Sequence, residues 1–114
     1  MNIENAERAL AAFVAARCGA TVNVYRGELP PGMNGAAVRF AAGRCPGEDL
    51  AEFSAEITAV FDTPAQAHGF ADAVWQDLPV CNVSGFARIA AGDVTFAASG
   101  GKFTVRGGLA VAFR

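Results

Sequence analysis

The histidine at position 68, the only one in the chain, is the first residue to test for acid–base or metal chemistry. It falls in a predicted helix, and Asp72 follows it one helical turn later. A His–Asp pair at this spacing on a helix is more often a surface contact than a catalytic dyad. No Cys or Glu stands three or four positions away from His68. We therefore assign His68 no catalytic or metal-binding role.

Serine and cysteine nucleophiles lack the partners that their activation requires. A nucleophilic serine needs a general base and an oxyanion site, and no G-x-S-x-G turn surrounds Ser54, Ser84 or Ser99. The cysteines are odd in number and widely spaced, without a C-x-x-C or Cys/His pair, which disfavours zinc and a disulfide framework. We predict three reduced thiols in a cytosolic setting: Cys18, Cys45 and Cys81.

Clustered carboxylates and glycine pairs add no stronger signal. Glu48, Asp49 and Glu52 lie where a predicted loop meets a strand, and such clusters are usually a solvated edge, so acid–base use has no further support. The glycines at 100–101 and 107–108 lack the G-x-x-x-x-G-K-[ST] spacing and precede no predicted helix. The sequence thus predicts no catalytic, cofactor-binding or metal-binding residue, no cofactor, and no enzyme.

The composition predicts one globular domain over residues 1–114. The chain is 53% apolar and 18% charged, with a net charge of −2, which is enough apolar area for one hydrophobic core. Nine Lys and Arg are scattered among eleven Asp and Glu, whereas nucleic-acid-binding modules present a dense basic face. Sequence-specific nucleic-acid binding is therefore not expected.

Neither a signal peptide nor a membrane span is predicted. Three charged residues, Glu4, Glu7 and Arg8, interrupt the apolar pattern where a secretory signal would need an unbroken apolar stretch. No apolar run approaches the ~20 residues that a membrane-spanning helix requires.

Two amphipathic helices are predicted, each with its own boundary signals. The first covers the segment between Asn2, a plausible N-cap, and Gly19, a plausible C-terminal cap. The second begins where Thr63 fits the N-cap, Pro64 the first helical position, and Gln66 the third, which completes a capping box. The proline at position 79 is expected to end that helix.

Alternating apolar residues predict the strands. Their order with the helices is α-β-β-β-α-β-β-β, and we expect an α+β fold with a mainly antiparallel sheet and both helices packed on one face.

The opposite sheet face carries Arg39, Glu56 and Thr58, and is either solvated or meets another subunit. Gly107–Gly108 predicts a bulge, a bend or close approach of another backbone. The predicted strands are 21–26, 36–41, 53–61, 83–90, 94–98 and 103–113, with loops at 27–35 and 43–49.

The proline-rich loop is the candidate protein-contact site. Proline restricts its conformations, so the loop can expose apolar atoms at a low entropic cost, and such loops often bind other proteins. In the alternative, Leu29 or Met33 folds back onto the core. The candidate contact residues are Glu28, Leu29, Pro30, Pro31, Met33 and Asn34.

Two segments and the element order resemble the tail terminator proteins (minor capsid or tail-completion proteins) of long-tailed, siphovirus-type bacteriophages. Residues 53–78, FSAEITAVFDTPAQAHGFADAVWQDL, run from an alternating strand through an Asp-Thr-Pro break into an alanine-rich helix. Residues 102–114, KFTVRGGLAVAFR, form a final alternating strand that ends in a basic residue. The resemblance extends over nearly the whole chain, and it carries no catalytic signature.

The resemblance implies a structural virion protein. Its expected form is a ring, with six subunits the expected number, that caps the tail tube and joins it to the head connector. The implied partners are other copies of this chain, the tail-tube protein and a head-completion protein. The implied location is the virion, after assembly in the cytoplasm of the bacterial host.

Two other classes of function stay open at this point. A small ferredoxin-like ligand-binding or regulatory module would need an apolar pocket with a few converging polar groups, and three strands before the second helix fit its strand order less well. A small enzyme built on Glu56, Asp62 or His68 would need a cleft with shifted pKa values.

Overall fold

A computed structural model describes residues 2–19, 22–47, 50–76 and 85–114. It has two helices and one five-stranded, mostly antiparallel sheet, which confirms the α+β class and the order α-β-β-β-α-β-β. The elements are α1 (Ile3–Cys18), β1 (Val24–Arg26), β2 (Gly35–Gly47), β3 (Leu50–Phe61), α2 (Pro64–Trp75), β4 (Phe86–Ser99) and β5 (Lys102–Phe113).

Both helices begin with the caps that the sequence predicts. The Asn2 side chain accepts a hydrogen bond from the Asn5 N–H at 2.7 Å and so caps α1. At α2, Thr63 Oγ1 accepts from the Gln66 N–H and Gln66 Oε1 accepts from the Thr63 N–H, each at 3.2 Å, with Pro64 in the first turn. Pro79 lies outside the described residues. No helix within the described ranges is long and apolar enough to cross a membrane.

The strands lie in the order β1-β2-β3-β5-β4. The β1–β2 pair is parallel, and every other neighbouring pair is antiparallel. The β2–β3 and β4–β5 hairpins therefore meet through their second strands, β3 and β5, in the middle of the sheet. This leaves β1 at one edge and β4 at the other.

The predicted loop at 43–49 is wrong for its first five residues. The second strand continues to Gly47, and Gly43 and Arg44 pair with Phe53 and Glu52 of β3. The glycine does not break the strand because it makes room: a side chain at Gly43 would collide with the Phe53 ring. A register shift between Phe40 and Ala42 marks the only irregularity before that point.

The two strands predicted at 83–90 and 94–98 are one strand. Phe86–Ser99 pairs with β5 along its length. Register shifts lie between Phe86 and Arg88 and between Ala91 and Val94, and the residues at 92–93 form a bulge within the strand. The predicted irregularity at Gly107–Gly108 is absent from β5 itself, which pairs with β3 without a shift. It lies on the partner strand instead, where a side chain at Gly92 would approach the Gly108 carbonyl oxygen at 3.1 Å.

The hydrophobic core lies between the two helices and one face of the sheet, as predicted. Alternate residues of each central strand point into it, so the period-two pattern of the sequence becomes one buried face. At one end of this face the Phe40, Phe53 and Phe113 rings stack, with centroids 5.2–6.2 Å apart. The largest fully buried side chains are those of Phe113, Leu10, Ile57, Val14, Val38, Val74, Val105 and Val111.

Gly107 lets α2 pack closely on the sheet. A side chain at this position would overlap Cζ2, Cε2 and Nε1 of the Trp75 indole, which lies against the strand at the C-terminal end of α2. The indole is buried, and its Nε1 has no hydrogen-bond partner in the described part of the chain. The close approach predicted at this glycine therefore involves a side chain, not another backbone.

We predict that Gly107→Ala lowers the free energy of unfolding by about 1–3 kcal/mol because the methyl group overpacks the Trp75 site. The adjacent Gly108 is the matched control, since its nearest atom to an added side chain is the Ala55 carbonyl oxygen at 4.0 Å. Gly108→Ala should be neutral or stabilising by up to about 1 kcal/mol, because alanine loses less backbone entropy than glycine. Urea unfolding of both variants tests this, and equal effects would contradict it.

Candidate functional site: the groove beneath the Pro30–Pro31 loop

The loop at 27–34 crosses from the end of β1 to the start of β2 with defined hydrogen bonds. The Gly27 N–H donates to the Val38 carbonyl at 2.9 Å, and the Met33 N–H donates to the Pro30 carbonyl at 3.2 Å. Pro31 and Gly32 occupy the centre of that turn, and Gly32 has φ +74°, the positive value that a type II turn requires at its third residue. The loop is thus an ordered turn rather than a loose connection.

Lys102 anchors the far end of the loop to the sheet. Its Nζ donates to Asn34 Oδ1 at 2.9 Å and to Asp62 Oδ1 at 2.5 Å, so it joins the loop, the end of β3 and the start of β5. The hydrogen bond from Lys102 holds the pKa of Asp62 below its ordinary value, with a further hydrogen bond from Asn34 and the Lys102 charge acting in the same direction. The carboxylate form of Asp62 is therefore the form that holds the loop.

A groove of about 520 Å³ lies between this loop and the sheet face that points away from the helices, which we call the open face. Its floor is formed by Ala37, Thr58, Val60 and Thr104, and the loop forms one wall. Ala37 is only 4% exposed although it points away from the core. The loop thus covers part of the open face, and the remainder stays accessible.

A charged cluster closes one end of the groove. Arg39 Nη2 lies 3.5 Å and Arg106 Nε 3.8 Å from Glu56 Oε1, and Thr58 Oγ1 donates to the same oxygen at 3.5 Å. All these contacts are long and use one carboxylate oxygen, while each guanidinium carries five N–H donors. Donors of Arg39 and Arg106 are therefore left to bind a carboxylate or a backbone carbonyl of another molecule.

Five of the six predicted contact residues, all except Asn34, line the groove, and they differ in exposure. Glu28, Pro31 and Met33 are exposed, and Met33 is 46% exposed. Pro30 and Asn34 are half-buried. Leu29 is half-buried as well, and its Cδ1 would lie 3.5 Å from a side chain at Gly35. Neither Leu29 nor Met33 packs on the hydrophobic core: Leu29 is half-buried beside the start of β2, and Met33 is exposed.

The side chains considered for catalysis make the following contacts in the structure. His68 packs its ring edge-on against Phe96, with the ring centroids 5.0 Å apart. Ser54 Oγ donates to the Ala42 carbonyl at 3.4 Å, and Glu52 pairs with Arg44 at 3.6 Å.

Cys18 is half-buried, and burial raises the pKa of its thiol, which disfavours the reactive thiolate. Among the described residues no group of three or more His, Cys, Asp and Glu side chains is placed to hold a metal ion. The remaining sequence candidates, Ser84, Cys81, Glu48 and Asp49, and the side chain of Cys45, lie outside the described parts of the structure.

Sequence reasoning placed Arg39, Glu56 and Thr58 on one sheet face but missed their two basic neighbours. Arg106 and Lys102 share the polar parity of β5, and that alternation is the only local signal that they belong to the same face. The meeting of Arg106 with Arg39 and Glu56 depends on the register of three strands, which pairs Arg39 with Glu56 and Thr58 with Arg106. Lys102 instead contacts Asn34 and Asp62.

Two comparisons with known proteins identify no relative of this chain. A scan against models of protein families gives no match, and a search of curated proteins gives none either. The protein is therefore described by its physical features alone: it is an α+β domain with an ordered loop over a partly charged groove on the open face of its sheet.

We predict that Lys102→Met raises the pKa of Asp62 towards its ordinary value and speeds amide hydrogen exchange in the loop at 28–34. In the wild type the lowered pKa means that the anchor is intact above the unfolded-state pKa of Asp62 and is lost as the pH falls through the lower folded-state pKa. An NMR pH titration of the Asp62 carboxyl group measures the pKa, and hydrogen exchange of the loop amides measured by NMR tests the loosening. Asp62→Asn should loosen the loop independently of pH, and an unchanged Asp62 titration in Lys102→Met would rule out the anchor.

Proposed function

We propose that this protein is a structural virion subunit of the tail terminator type, which forms a ring that caps a phage tail tube and joins it to the head connector. The observation that carries the proposal is the ordered Pro30–Pro31 loop, fixed to the sheet by Lys102 and exposing Met33 beside the groove. A loop held in this way presents apolar and charged atoms to a protein partner at a low entropic cost.

The element order supports the proposal. The resemblance to tail terminators rests on an N-terminal helix, three strands, a capped helix after a long alternating strand, and a terminal hairpin. The structure has these elements in this order. Because a fold alone does not specify a function, the proposal rests mainly on the contact surface formed by the loop and the groove.

The surface composition suits a subunit with large contact areas. Only 18% of the residues are charged, and interface cores are depleted of charged residues. A head-to-tail interface closes into a ring when the rotation between subunits fits. A net charge of −2 also suits a lumen through which DNA passes, because a strongly basic channel would retain the DNA.

A small ligand-binding module is the second candidate, because the groove has the volume of a small-molecule site. The strand order of this sheet, however, differs from the β-α-β-β-α-β arrangement of ferredoxin-like modules, since α1 precedes every strand. On this second hypothesis a small anionic ligand would occupy the Arg39–Glu56–Arg106 end of the groove.

We expect light scattering after size exclusion to give a mass of six chains, or a monomer that assembles into a ring as the protein concentration rises. A ring assembled by mass action must show this dependence on concentration. A strict monomer or a tight dimer at every concentration, with and without purified tail tubes, would contradict the proposal and favour the ligand-binding module.

We expect Met33→Arg to weaken binding to the tail-tube protein by about tenfold or more, because it replaces an exposed apolar contact with a charge. The conservative variant Met33→Leu should bind like the wild type. Pull-down or surface-immobilised binding of assembled rings to tail tubes measures the effect. If Met33→Arg binds tail tubes as well as the wild type does, the loop is not the tube-binding surface.

A further inference from the structure

The outer edge of β4 is a long sheet edge without a neighbour in the described structure. The strand spans 14 residues at the end of the sheet, and its only charged residues are Arg88 and Asp93. It contains no proline and no lysine, which are the residues that usually protect exposed edges from pairing with other chains. Two register shifts interrupt it, between Phe86 and Arg88 and between Ala91 and Val94. The residues from Val94 to Ser99 therefore form a regular strand that is able to accept another strand.

The backbone groups of that segment alternate between β5 and solvent. The hairpin turn consists of Gly100 and Gly101, both with positive φ, and it pairs Ser99 with Lys102. In a two-residue hairpin the flanking residues form the first hydrogen-bonded pair, and hydrogen-bonded pairs then occur at every second position. The amide groups of Phe96 and Ala98 therefore point outward, away from β5.

The helix layer covers this edge only in part. His68 of α2 contacts Phe96 on β4, yet the Phe96 side chain stays 51% exposed. Beside it lies a hollow of about 190 Å³ that is lined by Pro64, His68 and Phe103 among others. An apolar side chain from a neighbouring molecule is able to fill this hollow and cover the Phe96 ring.

The opposite edge of the same sheet has complementary features. Because β1 is parallel to β2, and the β2, β3, β5 and β4 strands alternate in direction, β1 runs antiparallel to β4. Asn23 and Gly27 bond to β2, so the alternating amides of Val24 and Arg26 point outward. Two copies placed edge to edge in the same orientation would therefore pair β4 with β1 in the antiparallel direction.

The helix above the β1 edge supplies the apolar contact. Glu4 of α1 pairs with Arg26 of β1 at 2.7 Å, which holds the N-terminal end of α1 over this edge. The adjacent Ile3 is 49% exposed. Ile3 and Phe96 are two of the three large apolar side chains exposed in the described structure, the third being Met33. They lie on the same side of the sheet at opposite edges, so a continued sheet would bring Ile3 of one copy towards Phe96 of the next.

We infer that the β4 edge of one subunit binds the β1 edge of a second copy, head to tail, with Phe96 packed beneath α1 of that neighbour. The inference rests on the proposed ring, because only a head-to-tail contact closes into one. A two-fold pairing of β4 with β4 of another copy would satisfy the same edge but would leave the β1 edge and Ile3 without a partner.

Disulfide cross-linking distinguishes the two pairings. The background is the full-length protein with its three native cysteines replaced by serine, after light scattering has shown that it has the same assembled mass as the wild type. In this background the double variant Ile3→Cys and Phe96→Cys should form covalent chains longer than a dimer on oxidation. The Phe96→Cys variant alone should stay monomeric on a denaturing gel. Dimers from Phe96→Cys alone, or no cross-linked product from the double variant, would overturn the head-to-tail inference.

Variants at the edge provide a second test that does not depend on cysteine. Phe96→Arg and Ala98→Pro should each raise the concentration needed for assembly by about tenfold or more, because the first removes the apolar contact and the second removes an outward N–H. Ala98→Ser keeps that N–H and should assemble like the wild type, and circular dichroism verifies that each variant is folded.

These results separate the edge contact from the proposed function. Rings that persist unchanged in folded Phe96→Arg and Ala98→Pro would overturn the edge contact while the terminator function stands. Head-to-tail chains that never bind tail tubes would support the edge contact and contradict the terminator function. A wild-type protein that stays monomeric at all concentrations, with and without purified tail tubes, would overturn both.

Discussion

The pairing of β3 with β5 is the interaction on which the rest of the structure depends. It runs without a register shift from Ala51 opposite Phe113 to Phe61 opposite Phe103. One face of these two strands supplies most of the buried sheet residues against which both helices pack. The other face supplies the groove floor and the Lys102 anchor of the loop. A slip of one residue would exchange the two faces, so the core and the candidate site depend on the same register.

Local signals were sufficient for the parts of the fold that local interactions determine. The caps at Asn2 and Thr63 and the alternation of β3 were predictable because each depends on neighbours within a few residues. The loop predicted at 43–49 is wrong at its start because the Phe53 ring that makes a glycine necessary at position 43 comes from another strand. The two strands predicted at 83–90 and 94–98 are one for a related reason, since pairing with β5 keeps the strand continuous through its bulge.

The candidate site was only partly predictable for the same physical reason. The loop could be located from its prolines and glycines, but its anchor could not, because Lys102 is 68 residues from Asn34 and 40 from Asp62. The charges around Glu56 likewise come from three strands that a sequence does not align. Exposure is also a property of the fold: Leu29 and Met33 have similar hydrophobicity and both line the groove, yet Leu29 is half-buried and Met33 is exposed.

The single helix layer has a consequence for how such a domain can change during evolution. Residues of one parity on β3 and β5 pack in the core, whereas many residues of the other parity contribute to the open face. Substitutions at Arg39, Glu56 or Arg106 can therefore alter what the surface recognises with little effect on packing, since all three lie outside the core. As a binding partner changes during evolution, the residues of the open face can change with it. Selection for stability then acts mainly on the other half.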